Sequence, residues 1–138
     1  MKIILEMGAK MPDSAHAADA GFDLFSREEK VIHAHGSAKF DTGVHMQIPF
    51  GYVGFLKSKS GLNVKHGITS EGVIDSGYTG SIVAKLYNDS DEDYTVKKGD
   101  KITQIVFLPV MKPDSFEVVN TFEQTDRGNG GFGSTGRA

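Results

Sequence analysis

The sequence predicts an all-β fold, a sandwich or barrel of short strands. Three observations predict it: apolar residues fall in short, often alternating runs; turn formers punctuate those runs every ~8–12 residues; and no amphipathic helical window of useful length occurs. The strand Ala20–Phe25 comes first, carrying one carboxylate, Asp23. Val44–Ile48 alternates and meets the turn signal Pro49-Phe50-Gly51, after which Tyr52–Leu56 returns as the next strand. One helix, a turn or two long, follows Ser60-Gly61-Leu62. Next, His66-Gly67-Ile68 and Val73-Ile74-Asp75 pair as a tight hairpin across Thr69–Gly72. Ile82–Tyr87 is a strand ending at the polar loop Asn88–Asp93, and Tyr94–Val96 is a short strand closed by Lys98-Gly99-Asp100. Ile102–Val110 is the longest strand, and Phe116–Val119 is the last short one.

Bulk properties narrow the function. At 138 residues the chain is one domain, long enough to bury a core, with 24% charged and 38% hydrophobic residues. A net charge of -3 gives no electrostatic case for nucleic acid as the main partner, although a local basic cluster can still grip a free nucleotide. With no cysteine there is neither a disulfide framework nor a thiolate metal site. The apolar run in Met1–Glu6 is too short for a signal peptide, and no stretch approaches the ~20 apolar residues of a membrane span, so a cytoplasmic protein is expected, with no membrane partner.

The end of the chain differs in kind, which divides it into a β-domain, 1–125, and a Gly-rich arm, 126–138. The arm has five glycines and one large apolar side chain, so it is costly to order and cannot pack on itself. Its bland reading is a disordered tail. Against that, a lone Phe132 wants a partner that the arm lacks, and Arg127 with Gly133-Ser134-Thr135 offers a cation, hydroxyls and approachable amides, which suit a phosphate chain.

Four further segments hold chemistry-bearing residues, each with an ordinary alternative. Asp23 alone reads as a surface charge. Ser58-Lys59-Ser60-Gly61-Leu62 combines the Lys59 cation, the Ser60 hydroxyl and a glycine that lets an anion approach the backbone, but it lacks the Walker pattern. Gly72-Val73-Ile74-Asp75-Ser76-Gly77-Tyr78-Thr79-Gly80 is either a plain turn or a hairpin whose opening exposes backbone groups to the edge of a flat base. Gln104, among Ile102, Ile105, Val106 and Phe107, is either solvated or buried with a partner. No HExxH, GxSxG or paired-His metal motif competes, and His33 and His35 read as surface histidines.

In order and spacing these segments resemble the five signature motifs of the trimeric dUTP pyrophosphatases, the dUTPases: Ala20–Phe25, Ser58–Leu62, Gly72–Gly80, Gly99–Phe107 and Arg127–Gly136. The third and fifth carry most of the specificity. The resemblance implies a jelly-roll β-domain assembled as a homotrimer, with each active site shared between subunits and closed by the arm of a third. It also implies hydrolysis of dUTP to dUMP and pyrophosphate with Mg²⁺, which limits uracil incorporation into DNA and supplies dUMP for thymidylate synthesis.

Carried onto this sequence, the resemblance makes Asp75 the carboxylate that orients water for in-line attack on the α-phosphorus. Tyr78 would lie against deoxyribose and reject UTP, and Gly72, Val73, Ile74 and Val83 would contact uracil, with no room for a 5-methyl group. Lys59, Ser60, Gly61 and Gln104 would hold phosphates. Phe132 would stack on the base, while Arg127, Gly133, Ser134 and Thr135 would bind the terminal phosphates. Mg²⁺ would be chelated by the triphosphate and water, with Asp23 acting through water and no direct protein cage.

The sequence departs from the family pattern at two positions. Lys59 stands where the family usually has Arg, replacing a bidentate fork by a point charge. Gly77 stands where many members carry a second acid. The loop between Ile68 and Val73 is too short to assign uracil contacts from its side chains. Two alternatives have different consequences. A dCTP deaminase shares the fold and the Ile74–Gly80 pattern, but Lys85 occupies the place of its catalytic Glu. A nucleotide-binding regulatory protein of the same fold would not need Asp75 for its function.

Overall fold

The computed structural model describes residues 1–137, and among them it has ten strands and one helix. The strands are β1 (Lys2–Leu5), β2 (Phe22–Phe25), β3 (Lys30–Ile32), β4 (Ser37–Asp41), β5 (Val44–Gln47), β6 (Tyr52–Lys57), β7 (Ile68–Ile74), β8 (Val83–Asn88), β9 (Tyr94–Val96) and β10 (Lys101–Pro109), and the helix is α1 (Ser60–His66). One sheet of six strands runs β2-β10-β6-β7-β8-β4, and the ribbons β1-β5 and β3-β9 complete the β-domain. Every pairing between these strands is antiparallel, as the all-β expectation requires.

Alternation explains the burial. In β8 Ala84, Leu86 and Asn88 point inward while Val83, Lys85 and Tyr87 face out, the period-2 pattern of a half-buried strand. Inward side chains form two apolar clusters. Leu24, Val44, Met46, Ile48, Leu56, Ile74, Ile82 and Ile105 make one; Ile32, Phe40, Ile68, Ala84, Leu86, Val96 and Ile102 make the other. At about 1.5–3 kcal/mol for each large aliphatic side chain taken from water, these clusters hold the strands together. A Cβ on Gly54 would lie 2.8 Å from the Ile105 side chain, so a larger residue there would force the buried Ile105 to shift.

The structure corrects two expectations. Ile68–Ile74 is one continuous strand, so no hairpin turns at Thr69–Gly72; the true hairpin joins β7 to β8 through residues 75–82. The small polar residues at 69–72 look like a turn, but Ser70 is buried and Gly72 pairs with Leu56. Phe116–Val119 is no strand, and Phe116 and Val118 are almost fully exposed, because the chain has already left the sheets after Pro109. Residues 108–129 are all exposed. Strands β1, β3 and β4, not anticipated from the sequence, are short and line the edges of the fold.

Candidate active site

The sequence-selected residues fall into two groups on the main sheet. In the first, β2 places Asp23 directly beside Gln104 of β10, which in turn faces Lys57 of β6. Asp23 is buried, and its two carboxylate oxygens are taken by Lys59 and, at 2.7 Å, by Lys101. Burial pushes its carboxyl up, but the hydrogen bonds and charges of Lys101 and Lys59 outweigh this and hold it below the ordinary range. Lys59, in extended conformation, immediately precedes α1. The first backbone N–H within α1 to find a partner belongs to Asn63, which bonds the Lys59 carbonyl, so the amides of Ser60, Gly61 and Leu62 have no intrahelical acceptor. The helix is one to two turns long, as expected, and ends on Gly67 in the left-handed conformation.

This loop is braced from below. The Gln104 amide donates to the Ser58 carbonyl at 3.0 Å, so Gln104 is half-buried with a partner and not merely solvated. The Ser58 hydroxyl donates to the Ser70 carbonyl and accepts from the Ser70 N–H. Beneath it Thr103 donates its hydroxyl to the Lys57 carbonyl, which leaves the Ser70 hydroxyl to donate to Thr103 across 2.6 Å. Lys101, Ser58, Ser70 and Thr103 were not singled out from sequence. Their importance depends on β10 lying between β2 and β6, which local pattern does not reveal.

The second group surrounds the β7–β8 hairpin. β7 and β8 pair at Ile68↔Asn88, Thr69↔Tyr87 and Ser70↔Leu86, then part. Continuing that register would set Gly72 against Ala84, Val73 against Val83 and Ile74 against Ile82. Instead Ile82 gives its backbone N–H to Val44 and its carbonyl to Thr42. The backbone edges of Gly72–Ile74 and Val83 therefore face each other unzipped, and Val73 and Val83 are exposed. Asp75 sits at the mouth of this opening, exposed, with its carbonyl bonded to the Tyr78 N–H. The Tyr78 hydroxyl donates to the Ser81 carbonyl at 2.8 Å. Its ring lies so close over Gly80 that an added Cβ there would fall 2.5 Å from the hydroxyl oxygen. Gly77 is exposed with open space around it. Lys85 points out of the sheet, its ammonium 5.1 Å from the Tyr87 ring centre.

Lys59 and Asp75 are far apart within one chain. Ile74 pairs with Gly54, which puts Asp75 level with Val53. Lys59 is six residues farther along the extended chain, on the order of 20 Å away at ~3.3 Å per residue. The arm joins neither group. The hydrogen bonds found for Arg127, Gly128, Gly130, Ser134 and Gly136 all stay within the segment 125–136, including Arg127 Nε to the Gly130 carbonyl at 2.8 Å. Phe132 is fully exposed and has a positive φ of 49°. His33 and His35 are surface residues bonded to Asp93 and Asp91. Among the described residues no three His, Asp or Glu side chains gather in a way that could hold a metal. No helix of the described residues is long and apolar enough to cross a membrane.

Comparison with known proteins adds family evidence. A family model described as dUTPase matches residues 8–136. The deoxyuridine 5'-triphosphate nucleotidohydrolase of Clostridium acetobutylicum is 46% identical over 135 residues, covering 96% of this chain and 92% of its own. A variant dUTPase of Staphylococcus bacteriophage 80alpha, solved with dUpNHpp, superposes with a TM-score of 0.91 at 31% identity, over 99% of this chain and 98% of that one. A variant dUTPase from phage phi11 of S. aureus, described with the coordination of a structural Mg(II) ion, gives a TM-score of 0.81 at 30% identity, over 89% and 98% of the two chains.

Proposed function

Because this chain belongs to the dUTPase family, we propose that it hydrolyses dUTP to dUMP and pyrophosphate in a site that three copies build together. The observation that carries the reading is the unzipped edge between β7 and β8 with Asp75 at its mouth. Unpaired backbone donors and acceptors on both sides of a narrow slot match the edge of a uracil ring, and a base seated between the two edges would have no room for a 5-methyl group. Tyr78, fixed by its bond to Ser81 and its packing over Gly80, forms a wall against the deoxyribose where a 2′-hydroxyl would clash.

Asp75 accepts a hydrogen bond from the attacking water and aims it at the α-phosphorus in line with the departing pyrophosphate. Carboxylates as a class are weak bases toward water, so its contribution is largely positioning and charge. The phosphate chain lies against Lys59 and the free amides of Ser60 and Gly61, with Gln104 supplying its second amide hydrogen from below. Since this group is on the order of 20 Å from Asp75 of the same chain, it serves the Asp75 of another copy. Seen this way, the exposed Val110, Met111, Phe116, Val118 and Phe122 await a neighbouring subunit, and the arm from Asp126 closes a site on another copy. There Phe132 covers the base, and Arg127, Gly133, Ser134 and Thr135 take the terminal phosphates.

The donor set fits a loosely held magnesium ion, since Asp23 is already paired with two lysines. Asp23 would reach the ion through water, and triphosphate oxygens would supply most of its ligands. The ion's chemistry there would be neutralisation of phosphate charge. Such turnover removes dUTP before it reaches DNA and supplies dUMP for thymidylate, and the protein is expected to work in the cytoplasm.

The test is incubation with dUTP, dCTP, dTTP or UTP and Mg²⁺, reading pyrophosphate and ammonia. Pyrophosphate from dUTP alone is expected, and ammonia from dCTP would overturn the reading. Asp75→Asn should lower turnover at least ~10³-fold while dUTP still binds. A protein that acts by binding alone would keep its function in that variant.

A further inference from the structure

The loop that carries Asp75 and Tyr78 is held in part by a residue outside both groups described above. Its end is fixed: the Ser81 hydroxyl bonds the Asp41 carboxylate, and Ile82 is bonded to Val44 and Thr42. Its middle rests on His45 of β5. Nδ1 of His45 is 2.8 Å from the Thr79 carbonyl, and Nε2 is 2.8 Å from a carboxylate oxygen of Glu6. A carbonyl and an ionised carboxylate only accept hydrogen bonds. A neutral imidazole has a single N–H, so only the imidazolium makes both bonds at once.

We propose that protonated His45 is the positioning residue that keeps the Asp75–Ile82 loop in its working place, so that turnover follows the charge on a histidine that never touches the nucleotide. This rests on the dUTP-hydrolysis reading above. The charged groups around His45 favour the cation. Glu6 follows β1, and Asp41 closes β4. Arg27, between β2 and β3, bridges Glu6 at 2.8 Å and Asp41 at 3.1 Å. Lys2 is the opposing cation, on β1 opposite Gln47, two residues from His45 on the same face. The Thr79 carbonyl first, then Glu6, raise the imidazole above its ordinary value, with partial burial working against them. The hold is therefore complete below the ordinary value of 6.5 and is lost as pH climbs through the higher folded-state value.

Losing one charge-assisted bond from the loop should lower kcat/KM roughly fivefold, in both kcat and KM because Asp75 and Tyr78 ride on the same loop. The experiment compares pH profiles of kcat/KM for dUTP with Mg²⁺ in the wild type, His45→Gln and Glu6→Gln. The wild type should show a limb that falls as pH rises, with its midpoint above 6.5. His45→Gln should lose that limb and run at a lower plateau on the acid side, whereas Glu6→Gln should keep a limb shifted to lower pH. In parallel, NMR of the substrate-free protein should show the His45 ring and the Tyr78 and Thr79 amides titrating together. A His45→Gln profile of the same shape as the wild type, or loop amides silent while the His45 ring titrates, overturns the proposal. Absence of dUTP turnover at every pH would instead defeat the functional reading, and the amide titration would still decide the role of His45.

Discussion

Replacing Asp23 by Asn should destabilise the protein even with no metal or nucleotide present. In the folded chain Asp23 is the shared counter-charge of Lys59 and Lys101, and it is itself buried. Removing one partner of a fully buried ion pair costs ~3–5 kcal/mol, because the remaining charge is stranded. Here the Lys59 side chain is 28% exposed and that of Lys101 is 44% exposed, so water screens both and they can swing outward. The discounted cost is about 1–2 kcal/mol. It would be read from urea unfolding at pH 7 with a chelator present and a fixed chain concentration, as a lower midpoint at unchanged slope. The effect has a pH signature. Because the folded state holds this carboxyl below its ordinary value of 3.8, its stabilisation is complete above 3.8 and is lost as pH falls through the lower folded value. The gap between wild type and Asp23→Asn should therefore narrow in acid. An unchanged midpoint at pH 7, or a gap that persists undiminished in acid, would refute the ion-pair reasoning.

Two other perturbations address the hairpin and the arm. Gly80→Ala would place a methyl 2.5 Å from the Tyr78 hydroxyl oxygen, forcing the ring off its bond to Ser81; kinetics with both nucleotides should show a higher KM for dUTP and at least ~10-fold poorer discrimination against UTP. Deleting the chain from Asp126 onward should leave folded, assembled protein by circular dichroism and sedimentation while turnover is largely lost, since the hydrogen bonds found in that segment reach no farther back than Thr125.

How much of this was legible in the sequence varies by residue. The strand character of Val44–Gln47, Tyr52–Lys57, Val83–Asn88 and Lys101–Pro109 followed from alternation and turn residues, because those strands are half-buried and their two faces differ in chemistry. The segment 69–72 misled because Thr, Ser, Glu and Gly are turn formers by composition; here Ser70 is bonded to Thr103 and Ser58, and long-range partners override local preference. Phe116–Val119 is apolar enough for a strand, yet among the described residues no strand pairs with it. The proposed site residues were selected only through a resemblance in motif order. Asp23 by itself is indistinguishable from a surface acid, and its two lysine partners are 36 and 78 positions away along the chain. His45 carries no sequence signal at all, since its role arises from β5 lying beside the loop that follows β7.

In the proposed assembly, Asp75 of one copy acts on phosphates held by the Ser60 loop of another. Subunit mixing distinguishes this from a single-chain site: Asp75→Asn chains and Ser60→Glu chains, each inactive alone, are unfolded together and reassembled in equal amounts. If each site draws those two residues from different chains, random assembly makes about a quarter of the sites intact, and activity should return to about a quarter of wild type. A mixture no more active than its two components would place both residues on the same chain's site and contradict the account.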